Sequence, residues 1–181
     1  MPRIPLIEAK EQLPVEQRSV WDDILASRGR VAGPWPVLLH VPAIAGMVAH
    51  LGSLVRFDLP FDAKVREFTI MATVRELCCE FEWAAHVAVG RAAGVREEAI
   101  AALRTGAAPE GLTAEEAELV AYVRQVLRNH RADDDTFQAL EHRLGRVELV
   151  ELTGLIGYYC LIATVLNAFE VPPPQGGDRM V

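Results

Sequence analysis

Eighteen consecutive residues near the C-terminus, Leu152 to Phe169, carry no charge, and Glu151 and Glu170 bracket them. A run of that length is either a membrane span or a helix enclosed by protein. Thr153, Gly154, Gly157, Tyr158, Tyr159, Thr164 and Asn167 lie inside it and no basic anchors follow it, so the enclosed helix is the expected reading. Because the run is apolar on nearly every side, one small subunit offers it too few partners, and a homo-oligomer is expected. A second uncharged run, Val31 to Val55, has Pro34, Pro36 and Pro42 in its first half, which break any spanning helix there.

Elsewhere the apolar spacing is helical almost throughout. Val20, Trp21, Ile24 and Leu25 form a stripe between Pro14 and Gly29, and Ile44, Met47, Val48, Leu51, Leu54 and Val55 form a clearer one just after Pro42. Asp62 is placed to cap a helix that carries Val65, Phe68 and Ala72 inward to about Leu77. A helix from about Glu80 closes at Gly94 and a short one at Gly106. Thr113 and Glu116 spell a capping box ahead of Leu119, Val120, Val123, Val126 and Leu127. The Asp133 to Asp135 cluster offers caps for a helix with Phe137, Leu140 and Leu144 inward, stopped by Gly145, and the last helix runs from about Val147 to Phe169. No segment alternates polar and apolar residues between turn signals, so the expected class is all-α. The whole chain, 1–181, reads as a single domain with an N-terminal arm over 1–13 and a C-terminal tail over 172–181.

Composition narrows the function. The formal net charge is −7 with no basic run, which argues against a nucleic-acid or anionic-membrane partner. The first residues, Met1 to Pro5, contain no continuous apolar stretch of the kind a secretory leader needs, so a cytosolic protein is expected. Three cysteines, an odd number in a reducing compartment, are not a disulfide framework. Phosphate loops and nucleophile elbows, GxGxxG, GxxxxGK and GxSxG, do not occur.

The polar residues with chemical potential cluster between Arg66 and His86. Cys79, Glu82 and His86 stand at i, i+3 and i+7, on one helical face. Glu82 lies within reach of His86, where a carboxylate raises an imidazole pKa and orients its proton. Cys79 falls near the start of that helix, where the dipole favours a thiolate. Glu67, twelve residues before Cys79, is about 18 Å away along a continuous helix, and joins the cluster only if the chain reverses near Arg75 to Cys78. Each feature also has a plainer reading: an exposed Glu–His pair, a small core cysteine, and packing roles for Trp35 and Trp83. His50, His130 and His142 have no identifiable partner, and Cys160 reads as core. With no second Glu-x-x-His or His-x-x-x-His pattern, no metal site is expected.

These residues resemble a known family. Arg66-Glu67 through Cys79-Glu80-Phe81-Glu82-Trp83-Ala84-Ala85-His86, closing on Ala92-Ala93-Gly94 and Glu97-Glu98-Ala99-Ile100, is similar to the carboxymuconolactone decarboxylase family within the alkylhydroperoxidase D-like superfamily. The likeness extends to Arg30 through Trp35, Leu38 through Pro42, Leu155 through Tyr159 and Leu166 through Ala168, covering most of residues 28–170. It implies a multi-helical all-α subunit, assembly into homo-oligomers (dimers, trimers or hexamers) and a pocket between helices for a small-molecule substrate.

Two chemistries are associated with that superfamily. Its peroxidase-type members use a CxxC whose second cysteine attacks peroxide, with a glutamate upstream and a histidine four residues downstream. Glu67, Cys79 and His86 match that pattern, but Glu82 stands where the second cysteine would be, and a carboxylate forms no disulfide. Its decarboxylase-type members carry a Glu-Trp pair ahead of the histidine, as Glu82-Trp83 and His86 do here, and their reaction needs no cofactor. The resemblance then implies His86 as proton donor, Glu82 orienting it and Glu67 as a second acid/base. Arg66 or Arg75 is the candidate to bind a substrate carboxylate, with Trp83 and His40 as further pocket residues. Three functions stay open: a cofactor-independent acid/base enzyme (a lyase or decarboxylase, isomerase or hydrolase) acting on a small carboxylated or lactone-like molecule, a thiol-dependent peroxidase working through Cys79, and a non-catalytic helical binding protein.

Overall fold

In a computed structural model, which describes residues 1–106 and 110–180, the chain is all-α, and no strand occurs among the described residues. The helices are α1 (Arg18–Arg28), α2 (Trp35–Leu38), α3 (Pro42–Ser53), α4 (Ala63–Glu76), α5 (Glu80–Ala92), α6 (Glu97–Thr105), α7 (Ala114–Asn129) and α8 (Asp134–Ala168). A π-helical turn, Leu54–Asp58, extends α3.

The helix ends follow the sequence signals. The Asp62 carboxylate accepts the Val65 N–H at 2.9 Å. Thr113 Oγ1 accepts the Glu116 N–H at 3.2 Å while Glu116 Oε2 accepts the Thr113 N–H at 2.9 Å, closing the expected capping box. Gly29 and Gly106 cap α1 and α6. Gly145, with φ 78° and ψ 164°, occupies backbone space that L side chains do not adopt. It breaks α8 into 134–144 and 146–168, so the expected stop is a sharp kink with helix resuming at once.

α4 is the centre of the molecule. Eight consecutive residues, Glu67 to Val74, are buried, because α5, α7 and α8 pack around it. Two of those residues are threonines, whose hydroxyls donate to the carbonyls one turn back at 2.8 Å, satisfying them in the apolar interior. The 146–168 part of α8 buries Leu149, Leu152, Leu155, Ile156, Tyr158, Tyr159, Ile162, Ala163 and Leu166.

Its opposite side is left open by this chain, as expected of a run apolar on nearly every side. Val147, Val150 and Leu161 are exposed, and no atom lies within 4 Å of a Cβ built on Gly154 or Gly157. By length and composition α8 is apolar enough to span a membrane, and half of its most apolar stretch is buried inside the fold. Some inward expectations are corrected: Phe137 and Leu25 are exposed. On α3 the buried side is Ala45, Val48, Ala49 and Gly52, and Ile44, Met47, Leu51 and Leu54 of the expected stripe face outward. The small residues turn inward because α3 lies close to α8, where a Cβ on Gly52 would overlap the Tyr158 hydroxyl.

The ends are tied down rather than loose. Ile7 and Leu13 are buried, and the Ile7 N–H donates to the Pro36 carbonyl at 3.0 Å. In the tail, Asp178 bridges Arg91 and Arg104 at 2.6 and 2.7 Å. Val181, the last residue of the expected tail, lies outside the described residues.

Candidate active site

The chain reverses between α4 and α5, where Cys78 takes a φ of 51°. That reversal carries Glu67 back to His86, as the sequence required. Glu67 Oε2 lies 2.6 Å from His86 Nδ1, with both side chains at most 4% exposed. On the other side of the ring, Nε2 lies 3.0 Å from the Tyr159 hydroxyl and 3.3 Å from Glu82 Oε2. The Tyr159 and His86 rings meet edge to face, 5.1 Å between centroids.

The electrostatics favour an imidazolium. Burial pulls the His86 pKa down, but hydrogen bonding to Glu67 and Glu82 outweighs it and leaves the group above its ordinary value. Burial likewise pushes Glu67 up, and the His86 contact with the nearby Arg56 and Arg66 charges brings it below the usual carboxylate range. In the charged state His86 donates Nδ1–H to Glu67 and presents Nε2–H to Glu82 or the Tyr159 oxygen. Tyr159, fully enclosed, is held well above its ordinary pKa by burial and stays a neutral hydroxyl. Opposed shifts of this kind are those of an ion pair, which holds His86 charged and Glu67 ionised.

Cys79 behaves differently from the thiolate expected at a helix start. Its side chain is fully buried, and burial pushes the thiol up to about 12 against the backbone N–H groups of Glu82 and Phe81. Desolvation thus outweighs the helix terminus, and the sulfur is protonated at neutral pH. None of the three cysteines is in a disulfide.

A cavity of about 290 Å³ opens onto His86, Glu82 and Ala85 of α5. Its other walls bring Arg28, Arg30 and Arg56 together with Trp35 and Phe57. An annex of about 50 Å³, which shares Pro34, Trp35, Arg56 and Glu82 with that cavity, lies against Tyr158 and Tyr159. The Arg28 guanidinium stacks over the Trp35 ring at 4.3 Å and donates to the Ala49 carbonyl at 2.8 Å. Three arginines against one carboxylate make this the cationic recess of an acidic chain, a geometry that concentrates anions.

The sequence placed Glu67, Cys79, Glu82 and His86 in one cluster; the structure joins Glu67, Glu82 and His86, while Cys79 is enclosed in the core at the start of α5 and lines neither the cavity nor its annex. The tighter contact to His86 is Glu67's, at Nδ1, while Glu82 is the carboxylate on the cavity wall. The three residues named for substrate contact line none of this cavity. Trp83 is wholly enclosed in the core, and His40 Nε2 lies 2.8 Å from the Pro5 carbonyl, against the N-terminal arm. Arg66 sits behind the site, its Nε 3.5 Å from Glu67 Oε1. Sequence reasoning did not single out Arg28, Arg30, Arg56 or Tyr159 as site residues. A signal was present for two of them: Arg30 and Arg56 are the charges that bracket the uncharged run Val31 to Val55, and both face the cavity. Among the described residues no three His, Cys, Asp or Glu side chains are grouped to hold a metal ion.

Comparison with known proteins shows what the chain and its fold are similar to. The sequence model of the carboxymuconolactone decarboxylase family matches residues 42–125, a span that contains Arg56, Glu67, Cys79, Glu82 and His86. No curated protein matches the chain significantly. Among solved structures, an alkylhydroperoxidase AhpD core, an uncharacterized peroxidase-related protein from Ralstonia eutropha JMP134, superposes with a TM-score of 0.73 at 18% identity. That match covers 96% of this chain and 93% of the other. A putative antioxidant defence protein AhpD of unknown function from Agrobacterium tumefaciens gives 0.66 at 21% identity, covering 79% of this chain and 99% of its own.

Proposed function

For a chain whose residues 42–125 match the carboxymuconolactone decarboxylase family model and whose fold is that of AhpD-like structures, we propose a cofactor-independent acid/base enzyme acting on a small carboxylated or lactone-like molecule. The observation that carries the reading is His86, buried between Glu67 on Nδ1 and the Glu82–Tyr159 pair on Nε2, at the wall of an arginine-lined cavity. Such a histidine has one nitrogen fixed by the scaffold and the other held to Glu82 and Tyr159 beside the cavity that His86 lines, a position from which it can serve as a general acid.

The reaction that the family likeness implies maps onto those positions. In a lactone bearing an extra carboxylate, the bond from ring carbon to carboxylate breaks, carbon dioxide leaves, and the electron pair passes into the conjugated ring as a dienolate. His86 delivers its Nε2 proton to a ring carbon, and solvent entering by the cavity restores it. Glu67 stabilises the imidazolium before transfer, and the arginines offset the charge of the bound carboxylate and the enolate oxygen.

The peroxidase alternative has family support, because both structural neighbours carry peroxidase or antioxidant descriptions. Against it stand Glu82 in place of a resolving cysteine and a Cys79 thiol pushed up to about 12, which leaves little thiolate to attack peroxide. The test is a paired assay on 4-carboxymuconolactone and on an organic hydroperoxide with a dithiol, using wild type, His86→Gln, Glu82→Gln and Cys79→Ser. Lactone turnover that survives Cys79→Ser and collapses in His86→Gln is the expected result. Hydroperoxide turnover abolished by Cys79→Ser would replace the acid/base reading with the thiol one. Turnover of either substrate unaffected by His86→Gln and Glu82→Gln would remove this site from the chemistry.

A further inference from the structure

Arg56 is unlike the other arginines of the molecule. It sits on the π-helical turn Leu54–Asp58, an irregularity that proteins often keep at functional sites, and it lines both the main cavity and its annex. Its Nε is buried without a partner. Among the described residues the guanidinium has no hydrogen-bond or ion-pair partner; the Phe57 ring lies 4.8 Å from Cζ, and Tyr159, Glu67 and Glu82 act on it only through space. The Nε atoms of Arg28 and Arg104 are likewise buried without a partner. The terminal nitrogens of Arg28, however, donate to Ala49 and Ser27 and its guanidinium stacks on the Trp35 ring, Arg104 pairs with Asp178, and Arg30 is exposed at the rim.

Five donors on a largely enclosed fork that has no hydrogen-bond partner call for an acceptor of matching shape. We infer that Arg56 is the anion anchor of the cavity, holding one carboxylate of a small ring-bearing ligand in the annex beside Glu82 and Tyr159, and so setting the specificity for carboxylated over neutral molecules. The annex walls support a carboxylate. Pro34, Trp35 and Ile162 are apolar, and Tyr158 and Tyr159 are the polar groups besides Arg56 and Glu82. At about 50 Å³ the space takes one planar carboxylate, whose two oxygens fit the guanidinium fork. Glu82 on the same wall repels a second negative charge, which disfavours a phosphate dianion. A ligand anchored there places its ring in the main cavity, toward His86.

The inference rests on the acid/base reading only for what happens after binding, so it is tested without turnover. Calorimetric titration with 2-furoate and with its neutral isostere 2-furamide reads the preference directly. Wild type is expected to bind furoate at least roughly tenfold more tightly than furamide, the size of a charge-assisted contact. Arg56→Gln is expected to make the two ligands equal by lowering furoate affinity while leaving furamide affinity in place. Arg56→Lys, which keeps the charge and loses the fork, serves should the glutamine variant fail to fold, and is expected to lose roughly threefold or more of the preference. No preference in wild type, or a full preference in either Arg56 variant, would overturn the inference. So would a preference erased by Arg30→Gln and kept in Arg56→Gln, since the anchor would then be at the rim. A failed acid/base assignment leaves the furoate preference standing, and a failed anchor leaves the His86 kinetics standing.

Discussion

Glu67→Gln tests the electrostatics of the site in isolation from any substrate. The substitution keeps the shape of the side chain and an amide oxygen that accepts the His86 Nδ1–H, and removes the charge behind it. In the wild type that contact is 2.6 Å long between side chains at most 4% exposed, so solvent screens little of it. A hydrogen bond with an ionised partner contributes roughly 1.5–3 kcal/mol and about twice a neutral one, so the exchange costs about 1–2 kcal/mol. For a chain of 181 residues that lowers Tm by about 2–8 °C. The pH dependence is the sharper readout. His86 has a raised pKa, so its share of the stabilisation is fully present below its ordinary 6.5 and is lost as pH rises through the folded value. Glu67 has a lowered one, so its share is present above its ordinary 4.5 and is lost as pH falls through the folded value. The Tm gap between wild type and variant, followed by circular dichroism, therefore peaks between about pH 4.5 and 6.5 and narrows on the alkaline side. A gap that is flat from acid to alkaline pH, or that widens as His86 deprotonates, would refute an imidazolium paired with Glu67.

Three further outcomes follow from the same structure. Iodoacetamide at neutral pH should alkylate exposed Cys78 ahead of buried Cys79, and mass mapping that finds Cys79 modified first would contradict its raised pKa. Gly145→Ala should cost about 1–3 kcal/mol, because φ 78° with ψ 164° is glycine territory, and an unchanged denaturation midpoint would show that α8 tolerates a smooth helix there. The outward residues Ile44, Met47, Leu51 and Leu54 are at least 41% exposed and stand on one face of α3 and its continuation, so burial against a second copy is expected. Met47→Glu with Leu51→Glu should convert the oligomer to monomer in sedimentation velocity, and a monomeric wild type would remove that expectation.

Much of the fold was legible because local rules and tertiary packing agreed. The caps at Asp62 and Thr113, the Pro42 start and the glycine ends are short-range chemistry, read from a few residues each. Periodicity identified helices reliably and orientated them poorly. On α3 the larger apolar residues face outward and the alanines and glycine face inward, because the distance to Tyr158 limits side-chain size at Gly52. Hydrophobicity alone carries no information about that distance. The same limit applies to the run from Leu152 to Phe169, whose apolar excess lies on a face that this chain leaves open.

The site divides along the same line. Glu67, Glu82 and His86 were found because their spacing on two helices, plus one reversal, determines their meeting. The cavity residues were not found, because Arg28, Arg30, Arg56 and Tyr159 come from α1, a loop, a π-helical turn and α8, and only packing brings them to one wall. Cys79 shows why position along a helix does not settle reactivity. The helix terminus and two backbone N–H groups favour its thiolate, yet full burial outweighs them and holds the pKa at about 12. Glu82 then adds a negative charge one turn away, a further penalty on a second anion. Placing a carboxylate where a CxxC has its second sulfur thus removes the disulfide partner and disfavours the first thiolate in one step. The charge that works against Cys79 raises the pKa of His86, so on the proposed acid/base reading one side chain weighs against sulfur chemistry and in favour of proton transfer.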